Sequence, residues 1–332
     1  MVITKTPYRV SLFGGGTDFP QWYKDHPGKV ISFTINKYCY ISARVLPPFF
    51  DHKYRIVYSK TEEVNRAENI SHPAVREAIK KYSPNIGLEI HHFGDLPARS
   101  GVGSSSAFAV GIINCLTKLE KKSLSKYDLA NSAIDLEQNI LAENVGSQDQ
   151  IACAFGGLNE ISFDKNRWHL KNINLGKSTQ DDIENRMVLV FTGISRSSSD
   201  ISAGLISDFQ GKNKLLEKNY RLAIEGASVL QNGKNLDYVG ELLNQSWEFK
   251  KSLNPLATNS RLDQIYTHAR NSGAVGGKVL GAGGGGFMLF WLKENYKVRF
   301  MEQIDKSLHV VPIKIEPKGS ELIFNDDLEL EE

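Results

Sequence analysis

Cysteine is scarce in this chain of 332 residues: Cys39, Cys115 and Cys153 are the only three, and no two form a CxxC pair. An odd count at such wide spacing excludes a disulfide framework and gives no zinc site. Charge of one sign is missing as well. The 40 basic and 38 acidic residues leave a net +2, which gives no support for a nucleic-acid or membrane surface. No apolar run approaches the roughly 18 residues needed to span a bilayer. Met1 leads directly into the strand-like VITKTPYRVSLF, without a signal-peptide pattern. The histidines lack metal-ligand spacing, and no internal repeat or low-complexity linker is present. These absences predict a cytoplasmic protein with reduced thiols and with no nucleic-acid or membrane partner.

Several familiar phosphate motifs are missing too. The run Gly281-Ala282-Gly283-Gly284-Gly285-Gly286 satisfies GxGxxG, but a dinucleotide fingerprint needs a helix after its glycines. Here the strand-like Phe287 to Leu292 follows. Gly176-Lys177-Ser178-Thr179 resembles the end of a P-loop, yet Lys171 stands where the first glycine belongs. The HRD and DFG motifs of protein kinases are absent.

What is present is glycine in three clusters. The most informative is Pro97-Ala98-Arg99-Ser100-Gly101-Val102-Gly103-Ser104-Ser105-Ser106-Ala107. Gly101 and Gly103 free the backbone to turn tightly, so that successive N–H groups can point at one anion. Phe108, Val110, Ile112, Ile113, Leu116 and Leu119 follow at helical spacing. The loop therefore opens onto a helix N-terminus, where free N–H groups and the dipole favour phosphate. The other clusters are Thr6 to Asp18, with Gly14-Gly15-Gly16, and Lys278 to Phe287. Three such loops, interleaved with apolar runs, read as walls of one anion site.

Around them, residues 1–60 read mainly as strands, 73–82 as a helix, 87–92 as a strand and 126–143 as a second helix. Residues 157–190 read as strands broken by polar turns. Helical spacing marks 198–209, 213–231, 236–249 and 259–272, with strands near 286–292 and 310–315. The acidic tail from Asn325 to Glu332 reads as a loose end. Strands and helices mixed in this way predict an α+β second half.

The three clusters, in this order and spacing, resemble the three motifs of the GHMP small-molecule kinases. The segments PYRVSLFGGGTD, LPARSGVGSSSAF, ENVGSQDQIACAFGGLN and GAGGGGFMLF read as those of the bacterial heptose 7-phosphate kinase subgroup. The resemblance covers nearly the whole chain. It implies a two-domain α+β fold: an N-terminal mixed α/β domain over 1–185 that carries the phosphate loop, and a C-terminal ferredoxin-like domain over 186–332. It also implies ATP and Mg²⁺ as cofactors, a sugar phosphate as substrate, and a monomer or homodimer.

Site residues follow from the same match. Gly101, Val102, Gly103, Ser104, Ser105 and Ser106 would cradle ATP. Phosphoryl transfer also needs a divalent metal and a group that positions the acceptor hydroxyl. The resemblance assigns the metal to Ser105 and Glu137, which stands twelve residues before Asp149; alone, Glu137 reads as a solvated helical glutamate. It assigns catalysis to Asp149, with Arg9 as partner; alone, Asp149 could be a helix cap. Asp18 lies nine residues beyond Arg9, the interval at which sugar-phosphorylating members place a hydroxyl-binding aspartate; alone, it reads as a turn residue. Gly15, Gly16, Gly283 and Gly284 join the expected substrate site. Gly14-Gly15-Gly16 stands where galactokinases have Gly-Glu-His, which argues against galactose. Arg196, among hydroxyls after a strand, is a candidate for a substrate phosphate. Lys278 is another candidate near the phosphates, and Lys53 and Arg55 are further candidates for a remote phosphate.

Overall fold

The structure, a computed structural model, describes residues 1–83, 86–165, 167–194 and 210–326. Its first sheet grows around two long antiparallel strands, β1 (Val2–Phe13) and β2 (Gly28–Val45). The first part of β2, Gly28–Phe33, pairs with β6 (Leu158–Asp164), and its last part, Cys39–Val45, with β5 (Leu88–Gly94). β3 (Tyr54–Val57) joins β5 in parallel, β4 (Thr61–Val64) and β7 (Arg167–Asn172) close the edges, and β12 (Glu321–Asn325) pairs with β1. The register of β1 breaks between Pro7 and Arg9, and again between Ser11 and Phe13. Pro7 has no N–H for the ladder, and breaks of this kind re-aim side chains. Both flank the residues that reach the site.

Helix α1 (Pro20–Tyr23) is a single turn, and α2 (Pro73–Tyr82) spans the residues expected of it. α3 (Ser104–Leu119) packs on β1 and β2, and every residue from Ser106 to Thr117 is buried. A helix apolar on all sides belongs in a core. The helix expected over 126–143 runs as α4 (Lys126–Ile134), then opens into a π-helical turn over Asp135–Ile140. Such turns recur at functional sites, and this one holds Glu137. α5 (Gln148–Phe155) begins at the residue before Asp149.

Residues 177–186, read as strand and turn, form helix α6 (Lys177–Arg186) instead. The sequence there is polar and weakly periodic. Arg186 pairs with Asp182 within the helix at 2.7 Å, and two tertiary partners fix its end, Asp237 and, at 3.2 Å, Glu294.

The second sheet runs β11-β8-β10-β9, with β8 (Met187–Phe191), β9 (Ala274–Val279), β10 (Phe287–Leu292) and β11 (His309–Pro312), all antiparallel. Numbered within this half, the order is four-one-three-two, that of a ferredoxin-like sheet. Helices α7 (Asn213–Asn232), α8 (Asp237–Leu253), α9 (Ser260–Asn271) and α10 (Lys297–Gln303) accompany it. The helix expected over 198–209 lies outside the described residues. Met187, Leu189, Phe287, Leu289 and Trp291 join the large core that extends through the first sheet. Val188, Val190, Met288, Phe290 and Leu292 pack in a second cluster with α9 and α10. A sheet buried on both faces explains why these strands read as continuous apolar runs.

Asn325, expected to begin a loose tail, is the last residue of β12 and pairs with Val2. The Met1 ammonium holds Asp326 at 2.7 Å. A strand from the end of the chain thus completes the sheet of the first half. The three cysteines are buried and unpaired.

Candidate active site

Gly101 and Gly103 both take positive φ, at 84° and 72°, and Gly103 caps α3 in the left-handed conformation without a side-chain capping bond. The N–H groups that open α3 are thereby left for an anion. A Cβ at Gly101 would lie 2.7 Å from the Leu280 carbonyl, and one at Gly103 would lie 2.9 Å from the Arg9 side chain. Both glycines are required by conformation and by close approach. Val102 is buried and its carbonyl accepts from the Arg9 backbone N–H at 3.0 Å. Ser104 Oγ accepts from the Arg99 N–H at 3.3 Å.

Arg9 connects two of the expected parts. Its Nε and Nη2 donate to the two carboxylate oxygens of Asp149, both at 2.5 Å, and its Nη1 donates to the Gly101 carbonyl at 2.6 Å. A guanidinium is a rigid fork, so this pairing fixes the plane of the carboxylate. The Arg9 side chain is 5% exposed and that of Asp149 22%, so the carboxylate is the member open to a ligand.

Glu137 is buried among neutral donors. Ser105 Oγ donates to Oε1 at 2.5 Å, and Ser106 Oγ and Gln150 Nε2 donate to Oε2 at 2.6 Å each. Burial pushes its carboxyl up to about 7, against the pull of these bonds. Ser106 is buried while Ser105 is exposed, so Ser105 links the carboxylate to the open mouth of the loop. Gln150 was not among the residues singled out from the sequence; its place on α5, one residue past Asp149, was the available signal.

Asp18 is fully enclosed. Its Oδ1 accepts from the Gly16 N–H at 3.0 Å, and its Oδ2 accepts from Gln148 Nε2 at 3.0 Å. A Cβ at Gly146 would lie 1.9 Å from that oxygen. Burial and the neighbouring Asp149 charge raise its carboxyl to about 6. It ties the first glycine cluster to the start of α5 from beneath.

The third cluster supports the phosphate loop from behind. The Phe287 N–H donates to the Ser100 carbonyl at 2.9 Å, and a Cβ at Gly281 would lie 2.7 Å from the Gly101 Cα. Gly284 donates to the Ala257 carbonyl at 2.7 Å, and Gly283 packs against the same residue. Lys278 Nζ is turned to the Leu12 carbonyl at 2.8 Å, and burial pushes its ammonium down to about 7. Lys250, not anticipated from the sequence, donates to the carbonyls of Val279, at 2.8 Å, and Gly281. Arg55 already faces Glu63 and Glu89, at 3.4 and 3.8 Å. Lys53 lies over the Tyr54 ring. Arg196 lies outside the described residues.

Residues 69–157 match the family model of the GHMP kinases N terminal domain, and residues 224–308 that of the GHMP kinases C terminal domain. The chain is a GHMP kinase. It is therefore an ATP-dependent phosphotransferase. This kinase is 28% identical over 318 residues to the D-glycero-alpha-D-manno-heptose 7-phosphate kinase of Campylobacter jejuni, with 91% of this chain and 93% of that one covered. It is 24% identical to the bifunctional fucokinase/GDP-fucose pyrophosphorylase of Arabidopsis thaliana, over 90% of this chain and 30% of that one. Among solved structures, a D-glycero-D-manno-heptose 1-phosphate kinase from Bacteroides thetaiotaomicron superposes with a TM-score of 0.80 at 22% identity, covering 98% and 99% of the two chains. The fold of the kinase is thus that of its family.

Proposed function

We propose that this kinase transfers the γ-phosphoryl group of ATP to the anomeric C1 hydroxyl of D-glycero-D-manno-heptose 7-phosphate, giving the 1,7-bisphosphate for nucleotide-activated heptose synthesis. The observation that carries the kinase chemistry is the Arg9 fork. One guanidinium holds the Asp149 carboxylate and the Gly101 carbonyl of the phosphate loop, so acceptor and donor are registered against each other. Phosphoryl transfer depends mainly on such positioning. Asp149 accepts a hydrogen bond from the sugar hydroxyl and takes its proton. The N–H groups at the start of α3 hold the phosphate oxygens. The heptose assignment is supported by the relative from Campylobacter jejuni, whose name specifies that substrate.

Glu137 and Ser105 suit Mg²⁺. Both offer hard oxygens, and a divalent ion takes only one or two protein ligands when phosphates supply the rest. The buried Glu137 carboxyl, short of positive charge, is the chemistry that such an ion would satisfy. When bound, the ion would neutralise phosphate charge.

A second reading keeps the chemistry and changes the acceptor to an unphosphorylated hexose or 6-deoxyhexose; the match to a fucokinase supports it. A panel of heptose 7-phosphate, free heptose, fucose and galactose, assayed for ADP release, separates the two. The first reading expects the 7-phosphate to lead in kcat/KM by several orders of magnitude. Equal use of fucose or free heptose would overturn it and leave the kinase intact.

A further inference from the structure

Helix α7, from the second half of the chain, lies directly against the first glycine cluster. A Cβ at Gly226 would strike the Phe13 ring at 2.4 Å, and two helical turns earlier Asn219 Nδ2 donates to the Gly15 carbonyl at 2.6 Å. Gly15 differs from its neighbours in the cluster. A Cβ at Gly14 would collide with the Lys29 carbonyl, whereas one at Gly15 meets nothing nearer than Gln148 Nε2 and Ser11 Oγ, both at 3.9 Å. A methyl group at Gly15 would make only ordinary contacts, and with polar neighbours.

Three polar side chains meet beside Gly15, each more than nine-tenths buried: Ser11, Gln148 and Asn219, at 6%, 8% and 5% exposure. Ser11 Oγ, Gln148 Oε1 and Asn219 Oδ1 are buried without a hydrogen-bond partner among the described residues. The orientation of both amides follows from chemistry. Asn219 faces a carbonyl oxygen, which only accepts, so its nitrogen must point there and its oxygen away. Gln148 faces an Asp18 oxygen that also accepts from the Gln148 backbone N–H, at 3.4 Å, so its Oε1 is again the atom left over. A buried oxygen without a donor is costly, and a ligand hydroxyl would satisfy it.

We propose that Ser11 Oγ, Gln148 Oε1 and Asn219 Oδ1 form a hydroxyl-reading corner of the acceptor site beside Gly15, with Asn219 as a specificity-determining residue. This rests on the sugar-kinase reading above. Amide oxygens accept and cannot donate, while the Ser11 hydroxyl can do either, so the two amide oxygens select O–H donors and disfavour phosphate oxygens. A sugar phosphate therefore presents hydroxyls here and directs its phosphate elsewhere. Asn219 comes from the second half of the chain, so the corner is complete only when α7 is docked.

The test compares wild type with Asn219→Leu and Ser11→Ala, using ATP with heptose 7-phosphate and each of its monodeoxy analogues that keeps the C1 hydroxyl. Wild type should lose about 10⁴–10⁵-fold in kcat/KM on at least one monodeoxy analogue, as sites built to bind a hydroxyl do. Asn219→Leu should lose a comparable factor on the parent sugar and little more on that analogue, with KM for ATP within about twofold of wild type. Ser11→Ala removes one oxygen, leaves the Asn219 to Gly15 bond in place, and should show the same non-additivity if Asn219→Leu fails to fold. Equal losses on the parent and on every analogue, or a loss that appears in KM for ATP, would overturn the corner. A wild-type enzyme that phosphorylates no sugar of the set would overturn the heptose 7-phosphate reading first, before any variant is compared, and the corner with it.

Discussion

Glu137 and Asp149 stand twelve residues apart and flank the same phosphate loop, yet their surroundings share little. Asp149 has a cation: the Arg9 fork takes both of its oxygens, and the carboxylate keeps an open face. Glu137 has three neutral donors, in Ser105, Ser106 and Gln150, and is 1% exposed. Neutral donors satisfy geometry without supplying charge, so burial still pushes the Glu137 carboxyl up to about 7. The difference separates two tasks. A carboxylate with its counter-charge built in can serve an acceptor hydroxyl. One without it is suited to a cation that arrives with the nucleotide.

The comparison breaks most readily at Asp149. Asp149→Asn should lower kcat by about 10²–10⁴-fold, the usual size of an acid–base contribution, and leave KM for ATP nearly unchanged. Near-normal turnover in a folded variant would remove Asp149 from the reaction. At Glu137 the effect should be smaller and of another kind. Glu137→Gln should raise the Mg²⁺ concentration for half-maximal activity by roughly 10–100-fold, the range seen when metal-site residues are altered. A Mg²⁺ titration that overlays wild type would end the metal assignment. Arg9→Lys keeps the charge and loses the fork. Losing one charge-assisted bond, about 1.5–3 kcal/mol, should lower turnover roughly 10–150-fold. Wild-type turnover would show that orientation of Asp149 does not depend on the guanidinium.

The smallest effect is on stability. The Glu137 carboxyl rises from the ordinary 4.5 to about 7, so between those values the folded chain holds more protons than the unfolded one. Stability of the metal-free protein should therefore fall as pH rises through that window. Asp18, raised from 3.8 to about 6, acts in the same direction at lower pH. Lys278, lowered from 10.5 to about 7, acts in the opposite direction: the unfolded chain holds more protons, and stability recovers as pH climbs above 7. Glu137→Gln should flatten the first window by on the order of 1–3 kcal/mol, read from urea midpoints, and leave the Asp18 slope in place. An unchanged pH profile would show that the buried carboxyl is compensated in the folded state.

The phosphate loop was legible because its signals are local. Gly101 and Gly103 demand positive φ, and the apolar spacing after them is that of a helix. The strand after Gly286 was legible for the same reason, and it excluded a dinucleotide site. Helix α6 was not legible, since its polar residues carry little period and its partners, Asp237 and Glu294, lie far along the chain. The π-helical turn at Glu137 was not legible either. It interrupts a pattern that continues smoothly in sequence.

By itself, the sequence determined the periodic parts of this kinase: the runs that become strands and helices, the glycines that permit turns, and a motif order specific enough to indicate the family. Side-chain period and backbone freedom are properties of neighbouring residues, so they can be read from neighbours. Tertiary structure alone decided which charges meet. Arg9 reaches Asp149 across 140 positions, Asn219 reaches Gly15 across 204, and β12 returns from the end of the chain to pair with β1. A hydrogen bond needs its heavy atoms within about 2.7–3.2 Å and weakens beyond that. That distance is set by how sheets and helices pack, and no local pattern records it.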